Sequence, residues 1–175
     1  LWSLWENRVN ILRVALATGF GHLTYSIPFV FMNSFIPLIT SISLETMMVF
    51  NTSLLALDMV MIPFVGRLLL KFSSEKIMIT ASLVLSLTVI PLFVLLPNAS
   101  LAYVLFVRIW IVFWGIVFLC PLNFWFNSLF NTSERYLLVG MGTALGASSI
   151  GRITTPLCLW LWYASGISVA PALYI

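Results

Sequence analysis

Residues 128–156 read SLFNTSERYLLVGMGTALGASSIGRITTP. A short polar loop carrying Glu134 beside Arg135 runs into an apolar segment seeded with Gly140, Gly142, Gly146 and Gly151. Glycine weakens a helix in water, but in lipid small residues let helix backbones approach closely. The pattern predicts a membrane helix packed tightly against a neighbour through Gly142, Gly146 and Gly151. The rest of the chain has the same character. It is 62% hydrophobic and 7% charged, against about 25% charged in a soluble domain. A soluble core of 175 residues cannot use that much apolar surface, so the expected class is an all-α integral membrane protein. Continuous apolar runs, without two-residue alternation, exclude an outer-membrane barrel.

A helix crossing the hydrocarbon layer needs about 20 apolar residues. Segments of that kind are expected over about 12–39, 46–70, 77–96, 101–125 and 137–162. A sixth, truncated one is expected over 167–175, and the chain is read as part of a longer protein. The lead-in LWSLWENR is polar and aromatic, with no short apolar core of a signal peptide behind it. Arg8 and Arg13 mark the start of the first segment; Arg67, Lys71 and Lys76 flank the second loop; Arg135 sits in the fourth. The first, third and fifth loops hold no Lys or Arg. By the positive-inside rule the start of the chain, the second loop and the fourth loop face the cytoplasm; the expected location is the cytoplasmic (inner) cell membrane.

The 128–156 stretch resembles the metabolite:proton symporters of the major facilitator superfamily, the proline/betaine transporter-like group. There the loop before the eleventh helix reads roughly E-L-F-P-T-x-x-R-Y, followed by G-x-G-Y-x-x-G and then G-G-x-x-P. Leu129, Phe130, Thr132, Arg135, Tyr136, Gly140, Gly142, Gly146, Gly151 and Pro156 match. Ser128, Asn131 and Arg152 stand where the family has Glu, Pro and the second Gly of its Gly-Gly pair. In the second loop, GRLLLKFSSEK is similar to the superfamily's G-x-L-x-D-R-x-G-R-R/K: Gly66, Leu68 and Lys71 match, while Leu70 and Ser73 replace the Asp and the second Gly. The resemblance implies the C-terminal six-helix half of a twelve-helix transporter, five helices complete and a sixth truncated. It implies a six-helix N-terminal half as partner. It also makes the loops around Gly66, Arg67 and Lys71 and around Phe130, Thr132 and Arg135 cytoplasmic latches.

Ionisable groups at membrane depth are costly and point to function. Asp58 lies mid-helix with Asn51 on the same face. It reads either as a proton-coupling carboxylate or as half of a structural ion pair with Arg108 or Arg152. Thr18, His22, Tyr25, Ser26 and Asn33 form a polar stripe on the first helix. Such a stripe faces protein or a water-filled cavity, or else its hydroxyls bond back to their own helix. The resemblance puts the cavity wall on the first and fourth helices, where His22, Tyr25, Asn33, Arg108 and Asn123 become candidate solute-binding residues. Arg108 either holds a carboxylate bidentately or snorkels to the surface. Trp110 and Trp114 could cage a quaternary ammonium.

No catalytic constellation, phosphate-cradling loop or metal cluster is visible, so neither an enzyme nor a cofactor or metal is expected. The net charge of +3 is spread along the chain, which gives no nucleic-acid signal. Cys120 and Cys158 lie in apolar runs and read as small core residues. The expected function is proton-coupled symport of a small polar, zwitterionic or carboxylate solute by alternating access. The departures from the family pattern leave a second reading: a degenerate or split transporter half, or a helical membrane scaffold that carries nothing.

Overall fold

Ser43 and Ser100 open two of the helices by the same device. Each sits in extended backbone, and its hydroxyl accepts the N–H three residues on, from Thr46 at 3.2 Å and from Tyr103 at 3.4 Å. This satisfies one of the donors that a helix start leaves free. Glu45 and Glu75 stand in the first turns of their helices, beside the positive end of the helix dipole. Asn98, at φ 59°, turns the third loop in the left-handed region that asparagine tolerates. Gly166, at φ 68°, ends the last long helix.

The computed structural model describes residues 5–175, so the first half of the LWSLWENR lead-in lies outside the described residues. In chain order the elements are α1 (Arg8–Ser26), a π-turn (Ile27–Phe31), α2 (Met32–Ile39), α3 (Leu44–Gly66), a 3-10 turn (Arg67–Leu70), α4 (Ser74–Val94), α5 (Leu101–Leu119), α6 (Leu122–Leu129), α7 (Arg135–Gly146), a second π-turn (Ala147–Gly151), α8 (Thr154–Ser165) and a final 3-10 turn (Ala170–Tyr174). Among the described residues there is no strand. Four helices among the described residues are long and apolar enough to cross a membrane: Arg8–Ile39, Leu44–Leu70, Ser74–Val94 and Leu101–Leu129. They agree with the first four expected segments to within a few residues.

The later segments differ. The segment expected unbroken over 137–162 is interrupted at residues 152 and 153. In the π-turn before them the Arg152 N–H reaches back to the Ala147 carbonyl. Pro156 then has no N–H to give the Arg152 carbonyl, so the α ladder stops and restarts. Residues 167–175 do not begin a sixth helix here. They form the 3-10 turn Ala170–Tyr174, whose small residues Ala170, Pro171 and Ala172 are buried, and the Tyr174 hydroxyl donates to the Ile150 carbonyl at 3.3 Å.

Two hydrogen bonds define one end of the bundle. Asn10 Nδ2 donates to the Leu129 carbonyl at 3.4 Å, and Trp125 Nε1 donates to Glu75 Oε1 at 3.3 Å. The start of α1, the second loop and the fourth loop therefore share that end, which gathers Arg8, Arg13, Arg67, Lys71, Lys76 and Arg135. At the other end the Asn98 N–H donates to the Ile39 carbonyl at 3.4 Å, joining the end of α2 to the third loop. The first span is the most enclosed of the four and the second the least.

The first span is central because glycines let α7 lie against it. A Cβ on Gly142 would stand 2.6 Å from Val14 Cγ1 and 3.0 Å from the Ile11 carbonyl oxygen. One on Gly146 would overlap the Ala15 carbonyl, and one on Gly151 would meet the His22 Cβ at 2.6 Å. Gly140, by contrast, has nothing within 4 Å. Gly146→Val should thus lower stability by about 3 kcal/mol, because rigid backbone cannot yield to it. Gly140→Ala should leave stability unchanged or raise it by about 0.5–1 kcal/mol. Thermal unfolding of the detergent-solubilised variants, followed by the loss of the monodisperse peak, checks the contrast.

Candidate functional site

Asp58 faces inward from the middle of α3 onto an open cavity of about 850 Å³. The first, second and fourth spans supply most of its wall. Tyr25 comes from α1, Asp58, Ile62 and Pro63 from α3, and Leu119, Cys120 and Asn123 from the α5–α6 region. Gly66, Leu69, Leu70 and Ser74 lie on the same wall, so the cavity runs from mid-span to the end where the basic residues gather. Asp58 has no hydrogen-bond or ion-pair partner among the described residues. The Tyr25 hydroxyl and the Cys120 thiol lie within the field of its carboxylate. A second open pocket, of about 480 Å³, shares Tyr25, Leu119 and Asn123 with the first and adds Thr18, His22 and Thr143.

The expected polar stripe is thus half assembled. Thr18, His22 and Tyr25 line these spaces, whereas Asn33 does not. Asn33 is buried, and its Nδ2 donates to the Phe29 carbonyl at 2.6 Å. The cause is the π-turn at Ile27–Phe31. One extra residue in a helical turn rotates everything beyond it by about 100°, so a spacing counted from His22 no longer finds the same face at Asn33.

Arg108 is the larger correction. It neither snorkels nor reaches the cavity wall, and it pairs with neither Asp58 nor another carboxylate. It is 0% exposed, the largest fully buried side chain among the described residues. Its Nε donates to the Pro28 carbonyl at 2.9 Å, Nη1 to the Met47 carbonyl at 3.4 Å and Nη2 to Asn51 Oδ1 at 2.6 Å. The π-turn makes the first of these possible. Met32 sends its N–H to Ile27, leaving Pro28 without the donor that an α-helix would bring. The planar guanidinium fork then binds α5 to the first and second spans.

The expected ion pair between Asp58 and Arg152 is not formed either: Arg152 is exposed, and it has no such partner among the described residues. The tryptophans of the fourth span make no cage. Trp110 Nε1 donates to Thr88 Oγ1 at 3.0 Å and its ring packs against Trp114, so neither ring lines the Asp58 cavity. The aromatic side chains that do line it are Tyr25 and Phe124.

Of the loop residues, Gly66 is on the cavity wall and Arg67 lies over the Phe64 ring at 5.4 Å. Lys71 and Thr132 are exposed. Arg135 folds back so that Nε and Nη2 both donate to the carbonyl of buried Phe130, at 3.4 and 3.2 Å. Among the described residues there is no His, Cys, Asp or Glu cluster able to hold a metal ion.

Sequence reasoning missed Cys120 as a wall residue. The signal was present: Ile116, Cys120 and Asn123 follow i, i+4, i+7 and share a face. Comparison with protein-family models, with curated proteins and with solved structures gives no match.

Two outcomes follow. Cys120 is half-exposed on the cavity wall and Cys158 is fully buried, so a bulky water-soluble maleimide should label Cys120 first, as mass mapping would show. Arg108→Lys keeps the charge but loses the fork, leaving buried acceptors unfilled. It should cost about 1.5–3 kcal/mol, read as a lower unfolding temperature while Cys120 labelling in the folded fraction is unchanged.

Proposed function

We propose that the protein is a secondary active transporter, moving a small solute with proton coupling by alternating access between the two membrane faces. The observation that carries this reading is the Asp58 carboxylate, unpartnered at mid-span on a cavity open toward one end. Intramembrane carboxylates are retained where they bind ions or relay protons, and solute sites of transporters lie near the bilayer midplane. The basic end, with the open mouth of the cavity, is proposed as the cytoplasmic side of the inner membrane. The resemblance of the 128–156 stretch to metabolite:proton symporters supports the same function and implies a second six-helix bundle as partner.

Asp58 is the proposed coupling group, with Tyr25, His22 and Asn123 as solute contacts. Arg108 is left out of this set, because its N–H groups are spent on Pro28, Met47 and Asn51. Asn33 is left out because the π-turn directs it elsewhere.

The test is uptake by the full chain in proteoliposomes under an imposed pH gradient, with a panel of betaine, proline, short carboxylates and substituted ammonium ions. At least one should accumulate, and a protonophore should abolish the accumulation. Asp58→Asn should lose gradient-driven accumulation. If no panel member accumulates under either gradient direction, or if Asp58→Asn accumulates solute like the parent, the reading falls.

A further inference from the structure

We infer that the Asp58 cavity takes an amphipathic organic cation, a substituted ammonium with an apolar body, and that this cation and a proton are alternative occupants of the one carboxylate. The inference rests on the transport reading above and deepens it by naming the solute class and the direction of coupling.

The charge that this bundle places on the wall points to the solute class. Asp58 is the one charged side chain lining the cavity. Tyr25 and Asn123 add neutral polar atoms, and Ile62, Leu119 and Phe124 are apolar. No Lys or Arg side chain lines the wall. Arg108 is buried and bound to Pro28, Met47 and Asn51, Arg67 lies over Phe64 and Arg135 is folded onto the Phe130 carbonyl. An anionic solute would lose its water and meet a like charge. A monovalent cation meets the single opposite charge, which offsets the desolvation of both. The apolar wall and the adjacent Tyr25 and Phe124 rings suit the carbon substituents of such a cation and its charge alike. A volume of about 850 Å³ is in the range that holds drug-sized ligands.

The direction of coupling follows from the count of groups. Asp58 is faced by Tyr25 from the first span and by Cys120 from the fourth, with His22 in the adjoining pocket and no Lys or Arg on the wall. A protonated Asp58 has no charge to offer, and a cation-bound Asp58 has none left to bind a proton. Loading the solute therefore releases a proton on the same side. Coupling is then exchange, not the symport that the resemblance implies.

The experiment measures equilibrium binding to the full chain in detergent with two probes whose charges do not vary with pH: benzyltriethylammonium and benzenesulfonate. The cation should bind, more tightly as pH rises, and calorimetry in buffers of different ionisation enthalpy should show proton release. Asp58→Asn should weaken cation binding by about tenfold or more, roughly 1.4 kcal/mol or more, and remove its pH dependence. Asp58→Glu should restore both, and unfolding temperatures show that each variant is folded. Tighter binding of benzenesulfonate, or cation binding that is indifferent to Asp58→Asn, overturns the inference. Asp58-dependent cation binding without uptake in proteoliposomes leaves the cation site standing and sinks the transport reading. Gradient-driven uptake of a carboxylate, with no binding of benzyltriethylammonium, does the reverse.

Discussion

A buried guanidinium held by neutral oxygens fixes how the spans meet. Placing Arg108 at membrane depth costs about 2.5–3.5 kcal/mol on insertion scales. Three acceptors from two other spans surround it, and hydrogen bonds to a charged group contribute about 1.5–3 kcal/mol each. The tie is therefore stable only while all three segments keep their positions. It also depends on a backbone irregularity, since the Pro28 carbonyl is free to accept only because the helix passes through a π-turn there. The proline, the π-turn and the arginine form one feature.

That feature makes the bundle unequal along its length. On α3, Asn51 is tied to Arg108, Asp58 lies seven residues further on, and Gly66 stands at the cavity mouth. At 1.5 Å per residue the tie and the carboxylate are about 10 Å apart along the axis. One end of the first, second and fourth spans is thus drawn together while the other stands open around Asp58. The opposite flank of the first span is held quite differently. There Gly142, Gly146 and Gly151 meet α1 through backbone and Cβ contacts, a surface with no directional bonds to break. The first span is thus fixed by a directional fork on one side and by smooth packing on the other.

Much of this was legible in the sequence, and the failures have separate physical causes. Apolar length located four spans, the basic residues located the shared end, and the glycine spacing located the close contact. Asp58, Tyr25, His22 and Asn123 line the two pockets, in keeping with the rule that a polar group on an apolar helix faces something other than lipid. Arg108 was misread because its partners are mostly backbone carbonyls, which no residue type announces. Asn33 was misread because helical counting assumes 3.6 residues per turn through a segment where one turn takes an extra residue. The break at residues 152 and 153 escaped for the same reason, with Pro156 as its one visible sign. Cys120 was overlooked because thiols in apolar runs are usually core.

Arg152 stands where the resembled family has the second Gly of a Gly-Gly pair. A Gly-Gly pair suggests that both positions are crowded, so an arginine in the second suggests lost packing. The geometry separates the two. Gly151 is buried with its hydrogen aimed at the His22 side chain, and any larger residue there would displace a cavity residue. Arg152 follows the π-turn, is exposed, and lies where the helix is already interrupted by the missing N–H of Pro156. The steric demand falls on 151 alone. An arginine at 152 therefore leaves the α1–α7 contact and the His22 pocket intact, and by itself it is no mark of a bundle that has lost its packing.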